Sequence, residues 1–483
     1  MESAFVNSYA QPLSPSSRKL ALWVALVTSA CIFAAVYAPA ALGIACAVLA
    51  GVAFFDRPFS LLLVMVFLIP FNFVVAIGPI PVATELLKVF AWIPFLCSRE
   101  ARSKFRTSRY NKWFAVWGAI IALSLLRSND FAYTVKECVR LISNIGLVYL
   151  ALNLVDSREK LLRLLKVLTV STFLVACYGF YQFAIQDYGS LFWIVNPRLH
   201  TSLSHYREEF WPWRNRMISV LTSEMELGHY FNLCLPIAAL LWFSQERRRV
   251  LSKWFLMLIA MLVGLLLTFT FGAWLALAAT TGLFVLLLDQ KRRWKLLAGA
   301  LLVSLVGVLL IVGPLRPFAE AKFFGGQVGS FEWDVFTRLK AWSFALATWK
   351  SHPVLGVGIG NYEVLSAESD WLGFGPIGAG STPHETYFYL LAESGIIGLF
   401  SMLAIMISSI RNNFKLNKHP QLGLIGLALS FSIVVNLIGG FSDDSPFDGP
   451  HASYLLWLVV GLSEAVVNLA FGWASQTRTL GQA

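Results

Sequence analysis

Runs of apolar residues about as long as a bilayer-spanning helix needs alternate with short polar connections from Leu20 to Phe471. The pattern predicts helices near 20–38, 40–55, 59–77, 83–98, 113–127, 132–154, 161–184, 227–244, 254–270, 272–288, 296–313, 385–410, 421–440 and 453–471. This is the pattern of an all-α polytopic membrane protein with about fourteen transmembrane helices, or about twelve if the paired segments around Pro39 and Phe271 are re-entrant. Two long polar stretches interrupt it, 186–226 and 314–383. A structureless loop as long as the second is unusual in a packed protein, so it should carry helices of its own. Within it Val335, Leu339, Trp342, Leu346 and Trp349 recur at helical spacing, predicting an amphipathic helix that lies on the membrane or packs on the bundle. Arg338, Ala341, Ala345 and Thr348 form its adjoining flank.

Composition agrees: 57% of the 483 residues are hydrophobic and 13% charged, with a mean hydropathy of +0.67, values outside the range of soluble chains. The net charge of +11 could point to nucleic acid. Its distribution points elsewhere. Most of the 38 Lys and Arg fall in connections on one side, such as Arg99–Lys112, Arg158–Lys166, Arg247–Lys253, Lys291–Lys295 and Arg411–Lys418. That is the positive-inside signature, and it puts both termini and these loops in the cytoplasm and 186–226 and 314–383 outside. The first apolar run then reads as a signal anchor. All six cysteines lie in apolar segments, which implies neither a disulfide framework nor a metal cluster.

Candidate chemistry collects on the outer side. Arg214 and Arg216 close the first outer loop, Arg338 lies in the second, and His384 follows at its end. A guanidinium is permanently charged and its planar fork matches two phosphate oxygens, so clustered arginines suggest a diphosphate clamp. Thr382 and Glu385 form a capping-box pattern with Pro383 at the first helical position, which places His384 in the first turn of the following helix. The positive helix end favours an anion nearby and keeps the imidazole neutral, as a base requires. Glu393 falls on the opposite side of that helix, where packing or hydrogen bonding suits it better than catalysis, and Gly395 and Gly398 suggest close helix contact. The glycines of His352–Asn361 lack the Lys-Ser/Thr of a nucleotide loop and read as a turn shaping the pocket. No Asp-x-Asp pair occurs, so the pattern predicts no metal-held nucleotide sugar and no cofactor.

These residues resemble the O-antigen ligase and O-antigen polymerase superfamily of bacterial envelopes. His384 through Gly398, HETYFYLLAESGIIG, is similar to the family's His-Asn-x-Tyr-Leu…Glu-x-Gly-x-x-Gly block. Arg338 followed by His352-Pro353-Val354-Leu355-Gly356-Val357-Gly358-Ile359-Gly360-Asn361 is similar to its Arg…His-Pro-hydrophobic-Gly-x-Gly-x-Gly-Asn pattern. Arg216 with Tyr230-Phe231 aligns with a third block, where Ser223-Glu224-Met225-Glu226 replaces Asn-Pro-Asn. Thr268–Leu275 resembles a fourth, with Phe271 where many members carry arginine. The likeness covers about 161–461, leaving 1–160 as N-terminal helices and 462–483 as the end of the last helix and a cytoplasmic tail.

The resemblance implies a glycosyltransferase C-like helical membrane fold in the bacterial inner membrane, with a large helical periplasmic loop and an active site on the periplasmic face. It implies metal-independent transfer or polymerisation of undecaprenyl-diphosphate-linked glycans onto an acceptor glycan or lipid. Arg216 and Arg338 would bind the diphosphate and His384 would orient or deprotonate the acceptor. Arg214, Tyr387 and Asn361 would line the substrate, with Glu393 and Glu385 supporting them. A flippase for lipid-linked oligosaccharides is the alternative, and a third reading is a glycan-binding membrane protein without catalysis. A carrier should concentrate charge at the midplane of paired helices, whereas here it concentrates in the outer loops.

Overall fold

The computed structural model describes residues 57–71, 76–77, 80–81, 88–89, 91–93, 105–185, 216–221, 223–245, 252–287, 316, 320, 331–370, 382–449 and 451–480. The predicted helices at 20–38, 40–55 and 296–313, most of 83–98, and Arg214 lie outside them. The elements that position the site are α1 (Pro58–Leu68), α2 (Asn111–Leu126), α3 (Phe131–Leu154), α4 (Arg158–Ile185), α5 (Glu224–Phe243), α6 (Lys253–Leu267) and α7 (Phe271–Leu287). They continue with α8 (Phe331–Ser351), α9 (Asn361–Glu368), α10 (Thr386–Lys415), α11 (Gly423–Gly439), α12 (Ser445–Asp448) and α13 (Ala452–Leu480). Of these, α4, α10 and the Ala452–Phe471 part of α13 are long and apolar enough to cross a membrane, and α1 with its following turn, α2, α6, α7 and α11 are shorter apolar helices.

The helix predicted over 59–77 ends early. Leu68 runs into a 3-10 turn at Ile69–Phe71, and Ala76–Ile77 pairs with Ile80–Pro81 in a two-residue antiparallel hairpin. Pro70, Gly78, Pro79 and Pro81 account for this, because proline lacks the N–H that continues a helix and Gly-Pro favours a turn. Helix starts are fixed locally: Asp130, Ser223 and Ser252 accept the amides of Tyr133, Glu226 and Phe255.

Helices α5 and α13 form the centre. α5 packs on α11, α6, α4 and α13, and α13 on α3, α11 and α10. Tyr230 and Phe231 from α5 and Trp457 from α13 are fully enclosed in one continuous core. Around this centre Leu126, Leu174, Leu256, Leu275, Leu286, Phe400 and Ile407 point outward. Such a coat of large apolar side chains suits hydrocarbon and not water.

The helix predicted from the Val335–Trp349 stripe forms, but it packs through its flank. Ala341, Ala345 and Thr348 are buried while Val335 and Leu339 are exposed, and the helix lies against α10. Small side chains let the two backbones approach, and the larger stripe is left at the edge.

Candidate functional site

Arg338 and His384 meet. The Arg338 guanidinium donates from Nη1 to the His384 carbonyl at 3.2 Å and to the Ser442 carbonyl, and its Nη2 lies 3.9 Å from the Met225 sulfur. His384 is not in the first helical turn. The N-cap is Glu385, whose carboxylate accepts the Phe388 amide, and helix α10 starts at Thr386. The capping box with Thr382 is therefore displaced: a carboxylate one residue past His384 satisfies the helix end and leaves His384 outside with φ +49°. A non-glycine residue in that region is costly and persists where neighbours hold it. Thr386 supplies part of the hold, its amide donating to the Gly440 carbonyl at 2.8 Å and its hydroxyl to the Asp443 carbonyl at 2.9 Å.

The turn after α11 is thus the frame of the site. Asp443 accepts the Asp444 amide at 2.8 Å and the Ser445 amide and hydroxyl at 3.4 and 2.9 Å. Side-chain atoms of His384, Asp443 and Asp444 lie within 4.8 Å of one another. Donor types of this kind occur at metal centres; here both Asp443 oxygens also accept hydrogen bonds within the turn, and the Arg338 cation sits alongside. Burial pushes the Asp443 carboxyl up, and positive charge on a neighbouring imidazole together with the Asp444 and Ser445 donors acts against it. Burial pushes Glu385 up to about 7, against the pull of the Phe388 and Tyr387 amides.

Arg216 stands across the same end of the bundle. It donates to the Thr268 and Phe269 carbonyls at 3.0 and 3.1 Å and pairs with Glu224 at 2.6 Å. Those carbonyls belong to the break between α6 and α7, where Phe269 has φ +51°. Thr270 reaches back to the Glu224 carbonyl at 3.0 Å. Arg216 and Arg338 therefore flank the first turn of α5, one against Glu224 and the other against Met225. Glu226 in that turn accepts the amides of His451 and Ala452 at 2.8 and 3.3 Å and lies 3.1 Å from the His451 imidazole. The starts of α5, α7, α10 and α13 gather here, and each contributes partial positive charge.

The remaining expected site residues are committed to structure. The Tyr387 hydroxyl donates to the Leu437 carbonyl and its ring packs on Phe441. Asn361 is buried, donates to the Val357 and Arg127 carbonyls and accepts the Asn129 amide, which clasps α9 to the α2–α3 turn. Glu393 accepts the Gly360 amide at 2.8 Å. The Pro353–Gly360 segment lies along a break in α10, where Val357 and Gly358 donate to the Ala392 and Glu393 carbonyls and Ile396 donates back to Pro353. Gly395, at φ 63° and ψ −168°, makes the break, and a Cβ there would lie 2.3 Å from the Val354 oxygen. The close contact expected of Gly395 is thus with a loop; Gly398 is the one that faces α2, through Ile120.

The sequence by itself places Asp443 in an outer turn and reads His229 as structural or secondary, and it assigns neither to the site. Their signals were an adjacent acid pair in a short outer turn directly after Gly439-Gly440, and a histidine within an apolar helix.

Among known families, residues 256–403 match the one described as O-antigen ligase. The matched segment includes Arg338, Asn361, His384, Glu385, Tyr387 and Glu393, and Arg216, His229 and Asp443 lie beyond it. No curated protein matches the chain.

Proposed function

From the match of residues 256–403 to the family described as O-antigen ligase, we propose that this membrane protein is a glycosyltransferase acting on undecaprenyl-diphosphate-linked glycans at the outer face of the bacterial inner membrane. It joins them to an acceptor or polymerises them during surface polysaccharide synthesis. The observation that carries the reading is the Arg338 guanidinium bridging the carbonyls of His384 and Ser442, which fixes a permanent cation and an imidazole in one frame. The outer location is supported by the basic residues Arg158–Lys166, Arg411–Lys418 and Arg478, which sit at the helix ends away from that frame.

The chemistry follows from the residues. Arg338 spends Nη1 on the two carbonyls and keeps Nε and part of Nη2 for phosphate oxygens. Arg216 joins it by exchanging Glu224 for phosphate, and the gathered helix starts add to the field. His384 accepts the proton of the acceptor hydroxyl as that oxygen forms a bond to the anomeric carbon. The bond from that carbon to the diphosphate breaks, and its electron pair leaves on the diphosphate, whose developing charge the arginines stabilise. The leaving group needs no proton from a general acid. The proton on His384 then passes to water or to the departing phosphate.

The test is purified protein given a lipid-diphosphate oligosaccharide and a matching acceptor, without added metal or ATP. Free lipid diphosphate should appear. Arg338→Ala and His384→Ala should each lower turnover by on the order of 10² or more, the scale of a positioned base or charge-stabilising donor, with the protein still in the membrane. Full activity in both variants would overturn the reading, and turnover lost to a chelator would move the role to a cation at His384, Asp443 and Asp444. Accumulation of single lipid-linked repeat units on deletion would indicate a polymerase, and intact lipid-linked polymers a ligase.

A further inference from the structure

His229 lies in the first half of α5 with no side-chain exposure, and neither ring nitrogen has a hydrogen-bond partner among the described residues. An enclosed polar group without partners is costly, and an apolar side chain of similar size would avoid the cost. The space is nonetheless shaped for this ring: a Cβ on Gly439 would come within 2.5 Å of its Cε1 and 2.7 Å of its Nδ1. Its Nε2 points at a carboxylate, 3.7 Å from Asp443 Oδ2. Asp443 also faces His384, and the carbonyls on either side of this contact hold Arg338 and Thr386. Asp443 is therefore bracketed by two imidazoles, one inside the bundle and one at the open site, with Asp444 and Arg338 as the other charged groups beside them.

We propose that His229 is a positioning residue for His384: as a neutral ring it donates its Nε2–H to Asp443, and the carboxylate so fixed orients the imidazole of His384. This rests on the reading of His384 as the base. The 3.7 Å separation exceeds a hydrogen bond, and catalytic hydrogen bonds commonly tighten when substrate binds. The arrangement gives a carboxylate with 2% exposure a further N–H donor beside those of Asp444 and Ser445, and it explains why a histidine occupies a site where leucine would pack without an orphaned nitrogen. Gln at this position places its amide N–H near Nε2, whereas Leu removes the donor.

Two measurements on the full chain test this. In bilayers containing protein labelled with 15N-histidine, His229→Gln identifies the His229 ring signals. These should show a neutral ring protonated at Nε2, and Asp443→Asn should shift both the His229 and His384 signals. A His229 ring protonated at Nδ1, or one indifferent to Asp443→Asn, would overturn the proposal whatever reaction the protein performs. In the transfer assay, His229→Leu should lower kcat on the order of tenfold, part of what a positioned base supplies, with KM for the lipid-linked donor unchanged, and His229→Gln should restore most of it. Wild-type kcat in His229→Leu would also overturn the proposal, while an inactive wild type would count against the proposed reaction and leave the ring signals to decide the role of His229.

Discussion

His384 has a left-handed backbone that bonds made by its neighbours help to hold. Arg338 takes its carbonyl, Thr386 ties the next turn to Gly440 and Asp443, and Glu385 caps the helix. Among the residues that hold His384, Glu385 is the carboxylate that burial moves to near neutrality. Its carboxyl is raised from 4.5 to about 7, so the folded protein keeps the proton to higher pH than the unfolded chain does. The stabilisation this gives is fully present below pH 4.5 and is lost as pH rises through about 7. Glu385→Gln keeps the acceptor for the Phe388 amide and removes the titration. Thermal unfolding in detergent should show the wild-type midpoint falling between pH 5 and 8 by more than that of the variant, and parallel curves would refute this account. The residue types of the site could be read in the sequence. The exact helix start could not, because Thr382 and Glu385 are both competent caps and the contact with Gly440 and Asp443 decides between them.

At the level of elements, the break in α10 is what admits the Pro353–Gly360 loop to the bundle. Gly395 occupies a region of φ and ψ that is essentially reserved for glycine, and a side chain there also meets the Val354 backbone. Gly395→Ala should therefore destabilise the protein by about 3 kcal/mol or more. Gly118→Ala in α2 provides the contrast: nothing lies within 4 Å of its Cβ position, and the change should be neutral or stabilising by up to about 1 kcal/mol. Chemical denaturation of the two variants measures the difference, and equal stabilities would refute it. The hydrophobic period gave the existence of α2–α7, α10, α11 and α13 well, since long apolar periodic segments have few alternatives. It did not reveal the break, because the run stays apolar on both sides of Glu393-Ser394-Gly395 and the interruption exists only through a loop some forty residues upstream.

For the molecule as a whole, the two central helices are joined by a carboxylate. Glu226 of α5 serves the first amides of α13 and the buried His451 ring. Glu226→Ala would strand these groups in the interior and should cost about 3 to 5 kcal/mol, with Glu226→Gln retaining part of the loss; an unchanged unfolding midpoint in Glu226→Ala would remove this role. The composition and the apolar runs by themselves determined that the chain is a helical membrane protein, since no soluble core could absorb so much apolar surface, and the charge bias set the expected sidedness. The sequence also yielded the arginines and the histidine, because their residue types and motifs are local. Tertiary structure alone decided that Arg338 bonds the backbone of His384, that Asn361 and Glu393 hold loops, and that Asp443 stands between His384 and His229. Those partners are separated by tens to hundreds of residues, and a hydrogen bond depends on ångström distances that no local pattern encodes.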